Sequence, residues 1–118
     1  MSPPGEPRPA APLPGRPVRG SRSGRPVMAL LDLLGRRWAL RVLWELRGGP
    51  LAFRSLQARC DGMSSSVLNQ RLAELRAAGI VEREEAGYRL SAEGVRLLGH
   101  LGELNGWAER WASRPGRP

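Results

Sequence analysis

The 118-residue chain has no lysine, a single cysteine and a single histidine. One cysteine excludes an internal disulfide and suits a reducing compartment. One cysteine and one histidine do not make a zinc site by themselves. The apolar runs are far shorter than a membrane span, and the N-terminus lacks the apolar stretch of a secretory signal. These absences predict a soluble cytoplasmic protein with no membrane contact. No glycine-rich phosphate loop, nucleophile elbow or catalytic carboxylate pair occurs. The reading is therefore of a non-enzyme without cofactor or metal. His100 reads as an ordinary helix residue and Cys60 as a buried, inert thiol. A redox switch at Cys60 is the sharper alternative.

All 19 basic residues are arginine, and the formal charge is +8. Residues 1–26 hold five arginines and one glutamate; residues 27–112 hold twelve arginines and ten acidic residues. The positive charge thus sits largely on the tails, which weakens any argument from isoelectric point alone. Residues 1–26 also hold eight of the eleven prolines. Such a stretch cannot bury a core and is predicted to be disordered or extended. It reads as a passive tail or as a basic arm in which Arg8, Arg16, Arg19, Arg22 and Arg25 track phosphates. Residues 113–118 form a second polar, disordered tail, leaving one domain over 27–112.

The informative stretch is Phe53 to Glu84. Phe53, Leu56 and Cys60 have helical spacing. Asp61-Gly62 is a turn dipeptide. Ser64 stands where an N-cap belongs, and Leu68, Leu72 and Leu75 line one face of a second helix over 64–78. Gly79 ends that helix, and Ile80 and Val81 start a strand. Two helices joined by a short glycine-containing turn describe a helix-turn-helix. With the leucines inward, the second helix exposes Ser65, Ser66, Asn69, Gln70 and Arg71. Amides suit adenine edges, a guanidinium suits guanine, and hydroxyls bond bases or phosphates. The plainer alternative is the solvated face of an amphipathic helix.

Three runs occur together: DLLGRRWALRVLWELRGGPLAFRSLQ, SSSVLNQRLAELRAAGIVERE, and YRLSAEGVRLL followed by WAERW. In order and spacing, from roughly Pro26 to Ala112, the chain resembles the HxlR-type winged helix-turn-helix regulators of bacteria, in the MarR-like superfamily. The resemblance implies a mainly α (α+β) fold. It comprises a winged helix-turn-helix, a small three-stranded antiparallel sheet with Leu51-Ala52 as the third strand, and a long C-terminal dimerisation helix. It also implies binding to double-stranded DNA as a homodimer. Family members often carry a cysteine directly before the proline that opens the first helix; here Arg25 precedes Pro26.

On that reading Asn69, Gln70 and Ser66 read bases, Arg71 takes a base or phosphate, and Ser64, Ser65 and Arg54 position the backbone. The short wing joins strands Ile80–Glu84 and Gly87–Leu90. Its acidic tip, Glu84-Glu85, repels phosphate, leaving Arg83 and Arg89 as its DNA candidates. Helices are expected over Met28–Leu34 and Trp38–Arg47. The first offers Met28, Leu30, Leu31 and Leu34 to a dimer interface, and the long last helix offers Leu97, Leu101, Leu104, Trp107 and Trp111. A small apolar or aromatic effector has a place between these two helices. The competing readings are a winged-helix interaction module that has lost specific DNA binding, and a nonspecific nucleic-acid binder acting through the arginine-rich tail.

Overall fold

A computed structural model describes residues 11–116; Arg8 and the rest of 1–10, with 117–118, lie outside the described residues. The chain runs α1 (Pro26–Leu34), α2 (Ala39–Glu45), α3 (Phe53–Arg59), α4 (Ser65–Ala77), β1 (Val81–Glu84), β2 (Gly87–Leu90) and α5 (Ala92–Ala112). Pro26 occupies the first turn of α1, where its missing N–H costs nothing. The helix therefore begins two residues before the expected Met28. Helix α2 is shorter than expected. Trp38 sits outside it as the N-cap at φ 76°, with Arg37 5.8 Å over its ring.

Strands β1 and β2 pair antiparallel, with Val81 opposite Leu90 and Glu84 opposite Gly87. The expected third strand is reduced to one residue. Leu51 exchanges two 2.9 Å backbone hydrogen bonds with Tyr88. Pro50 has no N–H to extend the ladder. On the other side, the Ala52 carbonyl already accepts from Leu56 N in the first turn of α3. Gly87 makes this approach feasible, because a Cβ there would lie 2.2 Å from the Leu51 carbonyl oxygen.

The core gathers Val42, Leu43 and Leu46 of α2, Leu56 of α3, and Leu68, Leu72 and Leu75 of α4, closed by Ile80, Val81 and Tyr88. Leu34, expected at a dimer interface, is buried in this same core. Helix α1 spends that side on α2, while its Leu31 stays exposed. Residues 11–25 carry hydrogen-bonded turns: Gly15 N donates to Gly24 O at 3.0 Å, and Val18 and Ser21 bond each other's backbones. Arg19 N donates to Asp32 Oδ2 at 3.1 Å, which ties this stretch to α1.

Ser91 caps α5 by accepting from Gly94 N at 3.0 Å. Its hydroxyl donates in turn to Gly79 O at 2.6 Å. Gly94 is packed so closely that a Cβ would meet Ile80 O at 2.2 Å. Beyond this anchor α5 leaves the core: Leu97 and Leu101 are half-buried, whereas Leu104, Trp107 and Trp111 are exposed. Among the described residues no helix is long and apolar enough to cross a membrane.

Candidate nucleic-acid interface

Helices α3 and α4 are joined by a turn in which both Asp61 (φ 58°) and Gly62 (φ 69°) are left-handed. Glycine adopts this freely and aspartate tolerates it. Gly62 N donates to Gln57 O at 3.0 Å. The Gln57 side-chain amide then donates to Met63 O at 2.9 Å and to Ser65 Oγ at 3.1 Å. Gln57 thus clamps the turn from α3. Helical spacing marked it only as a polar residue, so its role was invisible in the sequence. Ser64 caps α4 as expected, accepting from Val67 N at 3.2 Å.

The first turns of α4 present Ser64, Ser65, Ser66 and Asn69 to solvent, with Gln70 half-exposed. Leu68, Leu72 and Leu75 are fully buried behind them. Arg54 is exposed on α3. An open groove runs between Asn69 and the wing, lined by Phe53, Arg83, Glu84, Glu85 and Tyr88.

Arg71 departs from expectation. Its side chain is 12% exposed, and Nη1 lies 3.2 Å from Glu74 Oε1. Glu74 is itself buried and accepts from Arg36 Nη1 at 2.7 Å. The arginine sits on the flank of α4 beside the leucine stripe, not on the outward face with Asn69. On the wing, Arg89 pairs with Glu82 at 2.9 Å and lies 3.8 Å from Glu84. Arg83 lies 5.8 Å over the Tyr88 ring. The wing's arginines are thus engaged within the hairpin, and Glu85 at its tip is exposed. Arg41 is held by Glu45 at 2.8 Å, by Asp61 at 3.2 Å and by the Arg59 carbonyl. Its hydrogen bond to Glu45 raises its pKa further.

Cys60 closes α3 inside the core. Burial pushes its thiol pKa up; the Arg41 charge opposes the shift, and Glu45 and Asp61 reinforce it. No group of three or more metal-ligating side chains occurs among the described residues.

A helix-turn-helix packed on an apolar core, a polar outward face on its second helix and an attached β-hairpin are the parts of a winged helix-turn-helix. The HxlR-like helix-turn-helix profile matches residues 33–115. The chain belongs to the HxlR-like family. It is 32% identical over 88 residues to the HTH-type transcriptional regulator YvaP of Bacillus subtilis, covering 69% of this chain and 82% of that one. The crystal structure of quinone-bound YodB from B. subtilis superposes with a TM-score of 0.68 at 31% identity. That match covers 71% of this chain and 96% of YodB. A MarR-family regulator from Enterococcus faecalis gives a TM-score of 0.65 at 32% identity, covering 70% and 81%. This HxlR-like chain is a DNA-binding transcriptional regulator with a mainly α winged helix-turn-helix fold.

Proposed function

We propose that the chain acts as a homodimer on a pseudo-palindromic operator, with α4 of each protomer in successive major grooves. The observation that carries this reading is the outward face of α4. Ser66 and Asn69 are exposed and Gln70 half-exposed, while the opposite face is sealed in the core. These side chains offer donors and acceptors that distinguish base edges, and they add no charge that would favour phosphate over sequence. Ser64, Ser65 and Arg54 flank them as backbone contacts. Arg83 and Arg89 lie on the wing, where their engagement with Tyr88 and with Glu82 makes them minor contributors.

Dimerisation is supported by α5. Leu104, Trp107 and Trp111 are exposed along it, and the two indoles stack at 6.0 Å. Half-buried Leu97 and Leu101 extend that face along α5, and Met28, Leu30 and Leu31 of α1 offer further apolar surface. Two copies joined there would bring two recognition helices to half-sites one DNA turn apart. An apolar or aromatic effector would meet Trp107 and Leu104, which line a shallow groove with His100 and Arg110.

The test is fluorescence anisotropy on the DNA upstream of the protein's own gene, against a shuffled duplex, over a salt series. Asn69→Ala should cost about 1–3 kcal/mol on the upstream DNA and relax its preference. Equal losses on both duplexes would sink the assignment of Asn69. The acidic wing favours a second reading, a winged helix retained as a protein-interaction module. Absence of any preference for the upstream duplex would leave that reading standing.

A further inference from the structure

We infer that Glu74 withholds Arg71 from DNA and, through Arg36, fixes the recognition helix against α1, making Glu74 a positioning residue for base readout. This rests on the reading of α4 as the recognition helix. Four side chains form a chain of alternating charge across three parts of the fold. Asp32 of α1 lies 3.7 Å from Arg36 Nε. Arg36 donates to Glu74 Oε2 at 2.7 Å, and Glu74 Oε1 faces Arg71 Nη1 at 3.2 Å. Asp32 also accepts from Arg19 N, so the 11–25 stretch leans on the same carboxylate. Two acids and two bases balance, which is the condition under which buried charges are tolerated.

The network costs something. Arg71 Nε is buried with no hydrogen-bond partner, the one such side-chain atom among the described residues. A guanidinium free to reach solvent would satisfy that N–H. Its retention beside Glu74 therefore points to the carboxylate as the restraint. The consequence concerns specificity. An arginine released from the flank of α4 would find phosphate, which adds affinity for every sequence alike. Held back, it leaves readout to Ser66, Asn69 and Gln70.

The experiment uses the full chain on the upstream and shuffled duplexes over a salt series. Arg71→Met should leave the slope of log affinity against log salt at its wild-type value. Glu74→Gln should steepen that slope by about one unit, tighten binding to the shuffled duplex and narrow the preference for the upstream DNA. Glu74→Gln combined with Arg71→Met should return the slope to the wild-type value. Loss of packing alone would reduce the bound fraction without adding a phosphate contact, so the slope separates the two roles. A slope about one unit shallower in Arg71→Met would show that Arg71 already holds a phosphate, and would overturn the inference. That comparison can overturn the inference even if Glu74→Gln does not fold. An Asn69→Ala protein with undiminished preference would overturn both the inference and the recognition-helix reading. Normal loss in Asn69→Ala beside a shallower Arg71→Met slope would overturn the inference alone.

Discussion

Helices α4 and α5 are both amphipathic by sequence, yet they meet opposite fates. The 13 residues of α4 bury Leu68, Leu72, Glu74 and Leu75; the 21 residues of α5 bury only Gly94. Helix α4 lies across α2 and β1, so its leucines are covered within the chain. Helix α5 is pinned at its start by Ser91 and Gly94 and then projects beyond the domain, leaving Leu104 59% exposed. An apolar stripe therefore says that a helix needs cover, and does not say whether the cover is the same chain or another. On α4 the polar face is free to do chemistry; on α5 the apolar face is.

Breaking the α4 side should have the largest effect. Leu72→Ala empties a fully buried site and should cost about 2–5 kcal/mol in urea unfolding. Leu104→Ala, at an exposed position, should cost a dilute protomer far less. Equal costs in dilute protein would erase the contrast between the helices. The α5 side is sharpened by charge. Leu104→Arg with Trp107→Arg should halve the mass seen by sedimentation and abolish the concentration dependence of Tm, while the helical circular dichroism of the protomer persists. An unchanged mass would place the partner surface elsewhere. A smaller effect belongs to the cap of α4: Ser64→Ala should lower stability by about 1 kcal/mol, read by the same urea titration.

The smallest response concerns the thiol. Arg25, not a cysteine, precedes Pro26, and Cys60 is buried with its pKa raised. Folded protein should react slowly with iodoacetamide at neutral pH, and diamide should leave DNA affinity unchanged. Rapid alkylation of folded protein would show that α3 opens at its end. The sign for stability follows. Because the folded thiol pKa is raised, its contribution is fully present below the unfolded value. It is lost as pH climbs through the folded one. Alkaline titration of Cys60→Ala against wild type reads that loss.

Much of this was legible in the residues. Ser64, Gly79 and Ser91 marked helix ends because capping is local chemistry. The leucine spacing of α4 announced its inward face for the same reason. The winged arrangement was what the family resemblance of three motif runs implied. The third strand was over-read: the resemblance implied one at Leu51-Ala52, but the Ala52 carbonyl already accepts from Leu56 N in α3. The exposure of Arg71 was over-read too. Sequence spacing placed it near Asn69, and spacing does not report a carboxylate three residues on that also binds Arg36 from another element. Leu34 looked like interface on a helix apolar all round, and only packing against α2 decided which side was core.

By itself, then, the sequence determined the helix-turn-helix, the caps at Ser64 and Ser91 and the inward face of α4, since these depend on neighbours within a few residues. The tertiary structure alone decided which arginines remain available. Arg36, Arg41, Arg71 and Arg89 are each paired with a carboxylate: Glu74 for Arg36, Asp61 for Arg41 and Glu82 for Arg89 come from another element, whereas Asp32, Glu45 and Glu74 lie within four residues of Arg36, Arg41 and Arg71. Whether an arginine is paired is set by interatomic distances that residue order alone does not report. At a mostly buried pair such as Arg71–Glu74, Coulomb attraction over a few ångströms holds the guanidinium against the fold.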